Sequence, residues 1–101
     1  MMQPEALILV SALAIFALGV AGVALRRNPA AVLMCIELMI NATIVSLVLG
    51  SRIHHNAAGQ ATALLVLVLG GAEAVVGLAL ALALFRKRDS VDIDDPQEIQ
   101  G

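Results

Sequence analysis

Three apolar runs, Ala6 to Leu25, Ala30 to Gly50 and Ala61 to Phe85, fill most of this 101-residue chain. Each is about 20 residues or longer, enough for a helix rising 1.5 Å per residue to cross a hydrocarbon core of ~30 Å. A lone strand cannot satisfy its backbone in lipid, and the alternating segments of a transmembrane barrel are missing, so the runs are read as helices. The expectation is an all-α membrane protein with three transmembrane helices at about 6–25, 30–50 and 61–85, forming a single membrane domain over residues 1–101, with a tail from 86 to 101. Composition agrees: 60% of the residues are hydrophobic, against roughly 45–50% in a soluble domain.

The separators are short. "RRNP" reads as a tight turn, with Pro29 at the first helical position, where its missing N–H costs nothing. "SRIHHNAAGQ" reads as a polar loop ending at Gly59-Gln60. The first residues, "MMQPE", carry an acid and no Lys or Arg, and the apolar stretch after them is about twice the length of a signal core; no cleaved secretory signal is expected. Lys and Arg resist translocation. Five of the six, Arg26, Arg27, Arg86, Lys87 and Arg88, fall on one side of a three-span chain, and only Arg52 falls on the other. This predicts an N-terminus outside and a C-terminus in the cytoplasm. The acidic "DSVDIDDPQEIQG" reads as a short surface tail, with a neighbouring subunit as the surface it could lie on.

Several classes of function are excluded. Two Phe and no Tyr or Trp leave no stacking platform for nucleic acid. One cysteine, Cys35, permits neither an intrachain disulfide nor a Cys-based metal site, and it reads as a small buried hydrophobe. His54 and His55 are adjacent on a polar segment with no third ligand beside them, so no metal site is expected. No phosphate-cradling loop, nucleophile triad or haem ligand pair is present.

Two acids remain to be explained. Glu37 lies in "AAVLMCIELMINATIVSLVLG" and Glu73 in "LVLGGAEAVVGLALALALF". A charged residue near a helix centre costs about 2.5–3.5 kcal/mol on insertion scales. A purely structural hydrogen bond between helices is met more cheaply by Asn, Ser or Thr. A carboxyl moved out of water holds its proton more readily than one at the surface, which points to ion or proton handling. Counted along the helices, Glu37 lies ~10 Å and Glu73 ~18 Å from the cytoplasmic ends, close enough in depth for one lateral polar layer. Asn41, one turn from Glu37, can bond it or a bridging water. Gly70, Glu73, Gly77 and Ala81 fall near one helix face, with Ala74 adding another small side chain. No Lys lies inside the spans, so a cation to drive the proton must come from another chain. Arg26 and Arg27 read as topology anchors that could also tune a cytoplasmic half-channel. Gly19 and Gly22 read as packing residues.

The segments "RRNPAAVLMCIELMINA" and "GQATALLVLVLGGAEAVVGLALALALFRKR", with the "EIQG" terminus, resemble the subunit K family of NADH-quinone oxidoreductase, the small three-helix membrane subunit of respiratory complex I. The likeness spans nearly the whole chain; its most specific part is the Arg-Arg turn, the Glu of "IELMINA" and the Glu of "AEAVVGLA", in that order. It departs where the family's alanine run is here Gly70-Gly71-Ala72. The resemblance implies that Glu37 and Glu73 match two intramembrane glutamates that take part in proton translocation coupled to quinone reduction, and that Arg26 and Arg27 match an arginine pair supporting activity. It implies a non-redox subunit of the enzyme, with FMN, iron–sulfur clusters and quinone in other subunits. The implied neighbours are membrane subunits of the A, J, N and H types, and the implied location is the bacterial plasma (inner) membrane. Alternative readings are the homologous small subunit of a membrane-bound hydrogenase or multisubunit cation/proton antiporter, which usually lacks this carboxylate pair, or a purely structural assembly subunit. An ATP-synthase rotor chain, with two helices, and a small drug exporter, with four, fit worse.

Overall fold

A computed structural model describes residues 3–88, which form three helices: α1 (Pro4–Leu25), α2 (Pro29–His54) and α3 (Ala58–Arg88). All three are long and apolar enough to cross a membrane. Each start has a local cause. Pro4 opens α1, and Glu5 in the first turn complements the positive end of the helix dipole. Pro29 opens α2 and, by crowding the residue before it, holds Asn28 extended at φ −72°, ψ 124°. The Asn28 side chain then accepts the Ala30 N–H at 2.9 Å, supplying the cap that α2 needs.

The second connection is shorter than the polar loop expected over Ser51 to Gln60. Ser51 to His54 continue α2 and Ala58 to Gln60 already belong to α3, leaving His55 to Ala57 between them. Polar residues do not stop a helix by themselves. The stop is His55, which takes the left-handed conformation at φ 54° and gives its N–H to the Ser51 carbonyl. Asn56 N–H reaches the same carbonyl at 3.2 Å, closing the helix end without the glycine that usually serves there. Buried Ser51 then accepts the Gln60 N–H on its hydroxyl at 2.7 Å, tying the start of α3 to the end of α2. At the other end, residues 86–88, expected in the tail, continue α3; the expected surface tail over 89–101 lies outside the described residues.

α2 is central, with α1 and α3 packed on opposite faces of it. The molecule measures 54 × 28 × 14 Å, and the smallest dimension is close to one helix diameter of ~10–12 Å, so the helices lie side by side in a single layer. Small residues make both seams. A Cβ added to Gly19 would stand 2.6 Å from the Met39 side chain, and one on Gly22 would strike the Cys35 sulfur. On the α3 side, a Cβ on Gly77 would stand 2.8 Å from Leu33 and one on Gly70 would stand 3.1 Å from Ile40. Ala63, Gly70 and Gly77, each seven residues from the next, run down this seam, a spacing that returns to the same helix face. Large apolar side chains point away from the layer, Val75 at 70% and Leu18 at 66% exposure among them. In water that surface would be untenable, whereas in lipid it is the expected outer face, because lipid tails are as apolar as leucine.

Candidate functional site

Glu37 stands on central α2 and is half-buried. It lines an open groove of about 450 Å³ with Leu33, Met34, Leu38 and Asn41 of α2 and Ala74 and Leu78 of α3. The α2 members recur at three- and four-residue steps, which places them on one helix face. The wall is apolar apart from Glu37 and Asn41. One carboxylate oxygen, Oε1, is buried and accepts no hydrogen bond, so the expected Asn41–Glu37 bond does not satisfy it. Leaving a buried acceptor unsatisfied costs about 1–3 kcal/mol, and native structures rarely keep such a group without a use for it.

The seam gives the position of Glu73 relative to Glu37. Gly77 faces Leu33 and Gly70 faces Ile40, so the two helices run antiparallel in a common register. Glu37 is four residues on from Leu33, and Glu73 is four residues back from Gly77. The two acids therefore stand at the same level of the layer, in line with the expected similarity in depth. They do not share a face. At ~100° per residue, Glu73 lies ~100° back from the groove residue Ala74, with Gly70 and Gly77 falling between them. The expected grouping of Glu73 with Gly70, Gly77 and Ala81 is thus refined: the glycines fill the seam, Ala74 turns to the groove, and Glu73 emerges exposed on the far flank.

Arg26 and Arg27 are exposed in the turn between α1 and α2 and do not line the groove. Glu37 lies eight residues inside α2 from Pro29, ~12 Å along its axis. Cys35 is half-buried with its sulfur against Gly22, in the packing place expected of it. His54 and His55 are exposed at the end of α2, and among the described residues no three His, Cys, Asp or Glu side chains come together. The groove walls Leu33, Met34, Leu38 and Leu78 were not anticipated from sequence. The three α2 residues could have been found by stepping three and four residues from Glu37 and Asn41, but Leu78 needed the register of α3.

A thin layer of three helices long and apolar enough to span a membrane, with a carboxylate at mid-depth and seams made for close helix contact, defines a small multi-pass membrane protein. Comparison with known proteins makes this specific. Residues 7–101 match the family described as NADH-ubiquinone/plastoquinone oxidoreductase chain 4L. The chain is 48% identical over 86 residues to NADH-quinone oxidoreductase subunit K 1 of Symbiobacterium thermophilum, covering 85% of this chain and 84% of that one. The chain belongs to this family of complex I membrane subunits.

Proposed function

We propose that Glu37 and Glu73 are proton-transfer or coupling stations that link quinone reduction elsewhere in complex I to proton translocation. The observation that carries this reading is the unpartnered Oε1 of Glu37, held in a groove open to a neighbour or to water. A fixed structural bond would have consumed that oxygen within the chain. The common level of the two acids supports a lateral path, and their opposite flanks mean that a proton or its field crosses the α2–α3 seam on the way. Desolvated surroundings strengthen such electrostatic influence between sites.

In this reading the chain is a non-redox subunit of the enzyme, multi-pass in the bacterial plasma membrane, with its N-terminus outside and its C-terminus cytoplasmic. Its partners are membrane subunits of the A, J, N and H types, one of which supplies the cation missing from these spans. Flavin, iron–sulfur clusters and quinone lie in other subunits; a single cysteine falls short of the four that hold an iron–sulfur cluster. Arg26 and Arg27 support activity from the cytoplasmic turn, and Asn41 hydrates Glu37.

The test is proton pumping by the complex carrying Glu37→Gln or Glu73→Gln, reconstituted in vesicles and driven by NADH and quinone. Both should assemble and oxidise NADH with an artificial acceptor at the normal rate while losing coupled pumping. Normal pumping by both would leave only the structural, assembly-subunit reading.

A further inference from the structure

Beside the cation-bearing end of the layer lies a second groove, which shares the wall residue Leu78 with the one at Glu37 and extends from it toward Phe85. It has a volume of about 120 Å³ and is walled mainly by Pro29, Ala30, Leu78, Leu82 and Phe85. Its lining is almost wholly apolar, and Leu78, Leu82 and Phe85 are each about half exposed. Exposed cations follow directly on its walls: Arg86 and Lys87 continue the helix beyond Phe85, and Arg26 stands two residues before the lining residue Asn28. We infer that this groove and its cations form a binding site for an anionic phospholipid, with an acyl chain along the apolar wall and the phosphate among Arg26, Arg86 and Lys87.

Two features select this occupant. An apolar groove alone favours no lipid over another, because lipid tails and leucine are equally apolar; selection must come from the headgroup, and cations at the membrane surface attract anionic lipid. The first turn of α2 adds little of its own. Pro29 has no N–H, the Ala30 N–H is already taken by Asn28 and the Val32 N–H by the Asn28 carbonyl, so the phosphate is left chiefly to the side-chain cations. A free phosphate would use the cations but not the groove.

The experiment uses the assembled complex in phosphatidylcholine nanodiscs doped with phosphatidylglycerol carrying a photoactivatable acyl chain, with cross-links mapped by mass spectrometry. Labelling should fall on the peptides containing Pro29–Ala30 and Leu78–Phe85, and unlabelled phosphatidylglycerol should compete where phosphatidylcholine does not. Arg86→Gln and Lys87→Gln should each lower it about fivefold and together about 25-fold, without changing NADH oxidation by an artificial acceptor. Leu82→Trp should block labelling with the charges intact. Three results would overturn the inference: equal labelling by a photoactivatable phosphatidylcholine, no labelling because a neighbouring subunit covers the groove, or labelling only after removal of residues 89–101, which would give the groove to the chain's own acidic tail.

Discussion

Glu37 and Glu73 stand at one level of a three-helix layer, yet the chain treats them differently. Glu37 is on the central helix, half-buried, with an oxygen walled off inside a groove the chain builds from two of its helices. Glu73 is on an outer helix and exposed on the other flank of the seam. The surroundings of Glu37 are thus largely set by this subunit, whereas those of Glu73 are left to whatever packs against α3. A carboxylate facing lipid would be costly, so the exposure of Glu73 is itself a statement that assembly must cover or hydrate it.

The difference gives a ranked set of expectations. The largest effect belongs to Glu37→Gln, which preserves shape but cannot carry a proton: coupled pumping should fall about 100-fold, at the low end of what loss of a proton-transferring side chain costs. Glu73→Gln should cost less, on the order of tenfold, because water or a partner group can reach an exposed position; equal losses would break the comparison. Shortening sharpens it further. Glu37→Asp should behave nearly like Glu37→Gln, since withdrawing the carboxylate by one methylene takes it out of a fixed groove, while Glu73→Asp should keep most of the pumping rate in the same vesicle assay.

Smaller effects test the seam that holds the two acids level. Gly77→Val drives a side chain into Leu33 and should destabilise by about 1–3 kcal/mol, the usual cost of overpacking, read as a lower yield of assembled complex. Gly71→Ala, where an added Cβ meets nothing within 4 Å, should be neutral within this chain, and any assembly defect would mark a partner helix in close approach. A small effect of the opposite sign is expected at His55, held at φ 54°: His55→Gly should stabilise by about 1 kcal/mol or less, visible as a modest rise in the melting temperature of the complex.

The three spans were legible because length and hydropathy over some twenty residues decide a membrane crossing almost alone. The start of α2 was legible because proline has so few places to stand. The second connection is not legible in the same way, because polarity alone does not stop a helix: Ser51 and Arg52 are polar but helical, and the real stop is a histidine in a conformation that glycine usually takes. At the site, the two acids announced themselves by charge in an apolar run. Their opposite flanks did not, because that depends on which residues enter the α2–α3 seam, and Gly70, Glu73, Ala74 and Gly77 all lie within ~100° of one another on the helix. Only the contacts with Leu33 and Ile40 divide them.

The most direct measurement is infrared difference spectroscopy of the complex before and after quinone reduction, comparing the natural chain with Glu37→Gln. A carboxyl C=O band that changes on reduction and vanishes in the variant is the predicted result. An identical difference spectrum in both proteins, with pumping intact, would mean that Glu37 never changes its proton and that its buried, unpartnered oxygen serves no transfer.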